Sequence, residues 1–370
     1  MINFKAKINN EILNRISVIE EFRGEWKAIK QMSPEILNYL KKVATIQSVG
    51  SSNRIEGNKL SDKEVEKILS NVKMTSFKSR DEEEVAGYAE VSNLIFNDYE
   101  IVPFTENYIK QLHSILLKYS SKDERHRGEY KTLSNSVSAF DENGKEVGVI
   151  FETATPFDTP NLMKELIDWT NDNLEKRIYH PLILIAVFVV HFLAIHPFQD
   201  GNGRLSRVLT NLLLLKAGYG YVAYSSLEAV VEDNKSEYYL ALRKTQETLK
   251  SNESDYSAWI DFFIKILEKQ KVRLEYKISQ IEMSNAENHF EENKFKNHAA
   301  KNEEEIIEDL PIAAVKIYKL FEEVDRVDLK YIHANVDEHE GKIKRALKLM
   351  QDKGLIKKHG VTNGAWYVKI

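Results

Sequence analysis

Apolar residues recur at intervals of three and four along much of the chain, the spacing that places them on one face of a helix. Ser61 and Glu64 form a capping-box pair that predicts a helix start at Asp62, and Thr105 suits the N-cap of the next helix. Prolines and glycines, which interrupt helices, number only 7 and 15 among 370 residues. The pattern therefore predicts a mainly α fold, with helices in residues 34–48, 161–174, 204–217, 236–249 and 256–271.

Residues 182–195 form the longest apolar stretch. A membrane-spanning helix needs about 20 apolar residues, and this stretch is shorter and is interrupted by His191. Pro197 ends the helix at His196, because the residue before a proline is pushed out of the helical region. We therefore expect a buried helix with His191 as a core histidine, the same role as His113, and no contact with a membrane.

One segment departs from the helical pattern. Residues 137–154 contain two short β-prone runs on either side of Asn143 and Gly144, a dipeptide typical of tight hairpin turns. A β-hairpin is therefore predicted here, the only clear β element before residue 270.

The C-terminal part of the chain begins with a change of composition. Residues 272–309 are rich in Glu, Lys and Asn, which predicts a long exposed helix or a linker. Three helical segments, 312–321, 329–334 and 341–352, then precede two β-prone runs around Thr362–Gly364, an order typical of a winged helix. The predicted regions are a helical region (1–100), a core (101–267), a charged helix or linker (268–309) and a winged-helix domain (310–370).

Charge is distributed unevenly. Residues 341–370 carry eight Lys and Arg side chains against Asp352 alone, although the formal net charge of the chain is -5. A basic helix suits the major groove of DNA, but winged helices also bind proteins, so both partners stay open. Cysteine is absent, which excludes disulfides and thiolate zinc sites, and no apolar leader follows Met1, so a cytoplasmic protein is expected.

The stretch HPFQDGNGRLSR, residues 196–207, contains residue types that helix periodicity does not require. Gly201 and Gly203 permit close approach of a ligand to the backbone. The amides before the next helix, expected to start at Arg204, converge at a helix N-terminus that favours an anion. Arg204 and Arg207 project on one side of that helix and suit phosphate oxygens. The stretch therefore predicts a phosphate site.

Two further residues of this stretch suit chemistry at a bound phosphate. Asp200 offers hard oxygen ligands of the kind that hold Mg²⁺ between phosphates. His196 has a pKa range suited to taking a proton from an incoming hydroxyl group. A metal hydrolase using His191, His196 and Asp200 is disfavoured, because such a site needs three or four converging ligands and the sequence has no HExxH pattern.

These twelve residues resemble the signature of the Fic family, in which a histidine, an acidic residue, a GNGR loop and a second arginine follow in this order. The resemblance implies that His196 is the general base and Asp200 the Mg²⁺ ligand. Glycine at position 203, where the related Doc kinases have lysine, favours nucleotidyl transfer over phosphorylation. The residues implied to hold the phosphates are Gly201, Asn202, Gly203, Arg204 and Arg207.

A second match lies upstream, in the sequence SSNRIEGN. Ser52, Glu56 and Gly57 follow the S-x-x-x-E-G order of the inhibitory helix of Fic proteins, which is expected at about residues 45–57. In those relatives the glutamate pairs with the second arginine of the signature and excludes the γ-phosphate. The resemblance therefore implies that Glu56 pairs with Arg207 and keeps the protein inactive.

The resemblance also assigns the rest of the site. The hairpin at 137–154 resembles the family's flap, which holds a target protein by strand addition, and Ile150 on it is assigned to the nucleotide side. Tyr238 and Tyr239, with Gln246 further along the helix, resemble the residues that contact adenine.

The implied function is that of a protein adenylyltransferase, covering about residues 34–267. ATP and Mg²⁺ bind the loop, His196 deprotonates a Ser, Thr or Tyr hydroxyl of a protein, AMP is transferred and pyrophosphate leaves. Three alternatives stay open: Glu56 could serve the removal of AMP, the winged helix could belong to a DNA-binding regulator, and the chain could modify itself or form a homodimer.

Overall fold

The computed structural model describes most of the chain. For residues 136–140, 146–152 and 282–291 it describes the backbone alone. The predicted turns at Asn143–Gly144 and Thr362–Gly364, and the linker residues 292–309, lie outside the described residues. The described ranges are 8–29, 33–70, 77–140, 146–249, 254–291, 310–322, 324–360 and 365–370.

The chain divides into two compact units, residues 1–272 and 273–370. Helix α11 (Ser257–Glu291) begins in the first unit and ends in the second. The other helices of the first unit are α1 (Asn10–Ile29), α2 (Pro34–Ile55), α3 (Asp62–Ser70), α4 (Arg80–Asp98), α5 (Glu106–Leu116), α6 (Thr159–Lys176), α7 (Pro181–Ile195), α8 (Asn202–Lys216), α9 (Leu227–Asp233) and α10 (Lys235–Leu249), with a 3₁₀ helix at Gly220–Tyr224.

The predicted helix starts are confirmed at two caps. Ser61 N–H donates to Glu64 Oε2 at 2.8 Å at the start of α3, and Tyr108 N–H donates to Thr105 Oγ1 at 3.3 Å at the start of α5. The start of α8 was predicted two residues too late, because Gly201, with φ 77°, takes the N-cap position and lets the helix begin at Asn202.

Helix α7 is the centre of the first unit. Its residues from Leu182 to Val190 are at most 7% exposed, which confirms the predicted buried helix. It packs against α6 and α8, and His191 shares a hydrogen bond of 2.9 Å with the Tyr256 hydroxyl. His113 is fully buried. Within the described residues, no helix is long and apolar enough to cross a membrane.

Helix α2 continues seven residues beyond the predicted periodic segment and carries its polar end into the interior. Val49, Ser52 and Ile55 are completely buried where α2 packs against α4, α8 and α9. Tertiary contacts, rather than apolar periodicity, therefore determine where α2 ends.

The first sheet is the predicted hairpin. Strands β1 (Ser136–Phe140) and β2 (Glu146–Glu152) pair in antiparallel register, with Ser136 opposite Glu152. The register shifts between Val137 and Ser138, and Ile150 lies on β2 opposite this irregularity.

The second unit has helices on a small sheet. Its core contains Ile317, Val327, Ile332 and Ile343, all fully buried. The three strands pair antiparallel in the order β3-β5-β4, and the short first strand was not predicted. The winged-helix assignment stays a prediction. The elements after α11 are α12 (Ile312–Leu320), β3 (Arg326–Asp328), α13 (Leu329–Asn335), α14 (Glu340–Asp352), β4 (Ile356–His359) and β5 (Trp366–Lys369).

Candidate active site

His196 caps the C-terminus of α7 in the left-handed conformation, with φ 53° and ψ 60°. Its Nδ1 lies 3.3 Å from the carbonyl oxygen of Leu193, which accepts the Nδ1 proton and leaves Nε2 as the free base. Burial, with a contribution from the positive charge of Lys131, lowers the pKa of His196 to about 4. The imidazole is therefore neutral at physiological pH and able to accept a proton.

The loop between α7 and α8 is closed by the side chain of Asn202. Its Nδ2 donates to Phe198 O at 2.7 Å, and its Oδ1 accepts from Phe198 N–H at 2.9 Å. The Asn202 side-chain amide, which was expected to hold phosphate, thus shapes the loop. The backbone amides at the start of α8 remain suited to an anion, because helices leave their first N–H groups unpaired.

His113 holds the loop between α7 and α8 through hydrogen bonds and a stacked ring contact. Its Nε2 donates to Asp200 O at 2.9 Å, its Nδ1 accepts from Gly128 N–H at 2.8 Å, and its ring stacks on Phe198 with centroids 3.8 Å apart. Burial lowers its pKa to about 4, so the neutral tautomer satisfies both contacts. His113 is a core histidine, as expected, and it also positions the loop.

Asp200 belongs to a closed ring of alternating charges. Its carboxylate accepts from Arg80 at 3.0 Å and lies 3.3 Å from Arg204 Nη2. Glu84 contacts both arginines, at 2.8 Å from Arg80 and 3.5 Å from Arg204. Burial acts to raise the pKa of Asp200, but Arg204, the Gly201 N–H and Arg80 outweigh it and keep the pKa below its usual value. Asp200 is therefore an anion.

Asp200 is the one predicted metal ligand. No group of three or more His, Cys, Asp or Glu that could hold a metal ion occurs among the described residues. A single carboxylate still fits a Mg²⁺ that is shared with nucleotide phosphates, since this ion usually keeps several waters and binds through one or two carboxylates. In this structure both Asp200 oxygens accept hydrogen bonds, from Arg80 and from the Gly201 N–H among others.

Arg207 is held from α2. Its Nε donates to Ser52 Oγ, and its Nη2 donates to Ser52 O and to Glu56 Oε1, each at 2.8 Å. Burial disfavours the charge of Arg207, but Glu56 outweighs it and raises the pKa further above its usual value. The structure thus brings Ser52 and Glu56 of the inhibitory pattern into contact with Arg207, the partner that the resemblance implied.

The carboxylate of Glu56 lies directly against Gly203. A Cβ atom at position 203 would be only 2.1 Å from Glu56 Oε1, so glycine is required for this contact. Glu56 lines the cleft next to His196, whereas Arg207 is 7% exposed and does not line it. In this structure Glu56, and not Arg207, faces the cleft.

The end of α2 is anchored by Arg54. Its guanidinium makes a two-point contact with Glu232 on α9, at 2.7 and 3.0 Å, and a further contact with Asp62 at 2.9 Å. Because Arg54 stands two residues before Glu56, these contacts fix the backbone that carries the Glu56 carboxylate.

Helix α10 supplies the other wall. Tyr238 and Tyr239 line the cleft with rings 5.2 Å apart, and the Tyr239 hydroxyl donates to Ile55 O at 3.4 Å. Gln246 does not line the cleft, and neither atom of its buried amide has a hydrogen-bond partner among the described residues. The cleft has a volume of about 190 Å³ and is lined by Glu56, Asn135, Leu193, His196, Gln199, Asp200, Gly201, Asn202, Gly203, Arg204, Tyr238, Tyr239 and Leu242.

Sequence reasoning missed four residues that contact these groups: Arg54, Arg80, Glu84 and Lys131. Each is a common charged residue without a distinctive spacing, and each reaches its partner across many positions of the chain. Of these, Arg80 and Glu84 begin α4, outside the glycine-rich stretch. Only the folded structure shows that they meet Asp200 and Arg204.

The part of the chain that contains His196 and the glycine-rich loop matches a known protein family. Residues 103–214 match the model of the Fic/DOC family. The chain is 27% identical over 255 residues to the protein adenylyltransferase Fic of Drosophila mojavensis and 29% identical over 259 residues to that of Drosophila willistoni. In both cases 69% of this chain is covered but only 46% of the relative, so the chain spans about half the length of these curated relatives.

Comparison with solved structures extends the similarity to the fold. A Fic-domain-containing signalling protein from Bacteroides thetaiotaomicron is 27% identical, with a TM-score of 0.55 over 69% of this chain and 94% of its own. A Fic family protein from Desulfovibrio desulfuricans, 18% identical, shares the fold with a TM-score of 0.59 over 99% of this chain and 98% of its own. The chain therefore contains a Fic domain, which includes His196 and the glycine-rich loop.

Proposed function

We propose that this protein transfers AMP from ATP to a hydroxyl group of a protein and that Glu56 holds it inactive. The observation that carries the proposal is the position of the Glu56 carboxylate, bound to Arg207 at 2.8 Å and packed on Gly203 in the cleft of His196. A phosphate at the start of α8 would meet this carboxylate. The names of the Drosophila relatives support the same activity.

The reaction is a displacement at the α-phosphorus of ATP. His196 Nε2 takes the proton of a Ser, Thr or Tyr hydroxyl, the oxygen forms a bond to the α-phosphorus, and the bond from that phosphorus to the oxygen between the α- and β-phosphates breaks. Pyrophosphate leaves with the bond's electron pair, and His196 then releases its proton to solvent. Positioning and charge stabilisation supply most of the catalysis.

The phosphates would lie at the N-terminus of α8, on the backbone of Gly201, Asn202 and Gly203. Arg204 supports this placement, since its Nε is buried and has no hydrogen-bond partner among the described residues, while its Nη1 has only the long contact with Glu84 at 3.5 Å. Nη1 of Arg207 is likewise buried and has no hydrogen-bond partner among the described residues. These donors suit phosphate oxygens.

Asp200 would hold Mg²⁺, which supplies charge neutralisation at the phosphates when bound. Tyr238 and Tyr239, which line the cleft, are the proposed adenine contacts, and the target segment would pair with β2, near Ile150. We propose the cytoplasm as the compartment, because the chain contains no cysteine.

Labelled ATP tests the proposal. Wild-type protein, Glu56→Gly and the double variant Glu56→Gly/His196→Ala are incubated with Mg²⁺ and ATP labelled on the α-phosphate, and self-labelling is measured. We expect label on Glu56→Gly only, with ATP binding retained in the double variant because His196 acts on the acceptor hydroxyl. Equal labelling of wild type and Glu56→Gly would contradict inhibition, and labelling without His196 would contradict the base assignment.

Removal of AMP is the second candidate function. Only Oε1 of Glu56 accepts a hydrogen bond among the described residues, so Oε2 is available to orient a water molecule in the same cleft. In that case wild-type protein, but not Glu56→Gly, would release AMP from a protein that Glu56→Gly has labelled.

A further inference from the structure

The backbone on both sides of His196 is held by one residue, Lys131. Its Nζ donates to Ile195 O at 2.9 Å, and its backbone N–H donates to Pro197 O at 2.8 Å. Carbonyl groups at the end of a helix have no intrahelical partner, so these bonds satisfy groups that α7 leaves open. The left-handed conformation of His196 costs about 1–2 kcal/mol in a non-glycine residue and needs such external support.

The same ammonium group reaches both ends of the hairpin. Lys131 Nζ also donates to Asn135 Oδ1, just before β1, and to Thr153 Oγ1, just after β2, each at 2.9 Å. Asn135 Nδ2 in turn donates to Phe198 O at 2.7 Å. Three acceptors thus match the three N–H donors of a protonated lysine.

The Lys131 ammonium group is buried, and none of the described side chains gives it a counterion. Lys131 is 3% exposed, and the three oxygen atoms that accept hydrogen bonds from its Nζ are neutral. No carboxylate among the described side chains lies within ion-pair distance of it. An uncompensated ammonium is costly to bury. Such a group is retained where its hydrogen bonds or its charge serve the site.

We propose that Lys131 is a positioning residue of the transfer reaction: through its hydrogen bonds it fixes both ends of the hairpin to the backbone on either side of His196. The inference rests on the proposed function, since it gives His196 the role of base. A target strand paired with β2 would then approach Nε2 in a fixed register. The other charged groups that face His196 are Glu56 on α2 and Asp200 on the loop, and both favour its protonation.

The positive charge of Lys131 affects the pKa of His196. Lys131 disfavours the protonated imidazole, so its removal should raise the pKa of His196 above about 4, while burial, the larger cause, still keeps it below the ordinary value. A residue that only held the backbone would lower the rate at every pH without moving the acid side of the pH profile.

The test uses full-length Glu56→Gly protein as the reference, measuring ATP affinity and self-labelling rate from about pH 3.5 to 8, a range that includes the acid side expected for His196. In this background Lys131→Met should keep the ATP affinity within about twofold, lower the rate about tenfold, and shift the acid side of the profile to higher pH. Lys131→Arg, which keeps the charge, and Thr153→Val, which removes one acceptor, should lower the rate without that shift.

The outcomes separate a failure of the proposed function from a failure of the role of Lys131. An unlabelled Glu56→Gly reference would contradict the proposed function, whereas a labelled reference with an unmoved acid side in Lys131→Met would overturn the role of Lys131 alone. If circular dichroism shows that Lys131→Met does not fold, Thr153→Val decides: a reduced rate with unchanged ATP affinity supports the positioning role, and an unchanged rate overturns it.

Discussion

Glu56 Oε1 lies so close to Gly203 that a Cβ atom at position 203 would sit only 2.1 Å from it. Gly203→Ala should therefore push the Glu56 carboxylate, the far end of a flexible side chain, away from Arg207 and destabilise the wild-type protein by about 1 kcal/mol or less, and should be neutral or slightly stabilising when Glu56 is replaced by glycine. Urea unfolding of the four proteins of this double-mutant cycle measures the coupling. Gly24→Ala is the control, because a Cβ atom there meets nothing within 4 Å. Equal effects in both backgrounds would contradict the contact.

Arg54 should matter for inhibition although it lies outside the cleft. Because its contacts with Glu232 and Asp62 hold the last turn of α2, Arg54→Met should loosen Glu56 and raise self-labelling to a level between wild type and Glu56→Gly. Arg15→Met is a matched control, since Arg15 also pairs with several carboxylates but lies on α1. Labelling of Arg54→Met no greater than that of this control would count against the anchor.

Arg80 should compete with Mg²⁺ for Asp200. In the Glu56→Gly background, Arg80→Met frees one carboxylate oxygen and should tighten binding of Mg²⁺·ATP about two- to fivefold, the range expected for a half-exposed ion pair. Binding of ATP without the metal should not change. Calorimetry measures both, with Arg243→Met, which removes an exposed ion pair on α10, as control. Weaker binding of metal-free ATP would instead make Arg80 a phosphate contact.

His191 should make the fold sensitive to acid. Burial lowers its pKa from 6.5 to about 4, so the unfolded chain binds a proton that the folded chain excludes between these values. Stability contributed by the neutral ring is complete above pH 6.5 and falls as the pH drops toward 4, by about 2 kcal/mol at pH 5. Urea midpoints at pH 7 and pH 5 should therefore differ less in His191→Phe than in wild type. An equal difference in both proteins would rule out the contribution of His191.

Binding of DNA by the second unit stays a prediction, and two contacts weaken it. Glu338 and Glu340, just before the basic segment, pair with Lys342 and Lys344 at 3.2 and 2.6 Å. If the full-length chain binds duplex DNA, affinity should fall steeply with salt, and Lys348→Ala should reduce that slope by about one counterion. No binding at low salt would leave the unit as a protein contact.

The helices, the helix caps and the hairpin could be predicted from short sequence patterns. The periodicity of residues 182–195, the Ser61 cap and the Asn143–Gly144 turn signal each depend on neighbours within a few positions, and the helices, the cap and the hairpin strands follow them. The residues of the glycine-rich stretch and Glu56 could be selected because their spacing is distinctive.

Contacts between distant segments could not be predicted in the same way. Lys131 has no distinctive sequence context, and only the fold places it beside Ile195. Arg80 pairs with Glu84 on its own helix, and that pair gives no indication that Arg80 also contacts Asp200. The three-residue strand β3 is too short to show alternation, and pairing with β5 defines it.

The burial of α2 limits how inhibition can be relieved. Val49, Ser52 and Ile55, fully enclosed, are part of the core that holds α4, α8 and α9 together, so undocking the helix would unfold much of the first unit. The Glu56 side chain, by contrast, is 30% exposed and depends on one ion pair. An activating partner, modification or mutation therefore has to act on a single turn and a single side chain, a change small enough to reverse quickly and to leave the enzyme folded throughout.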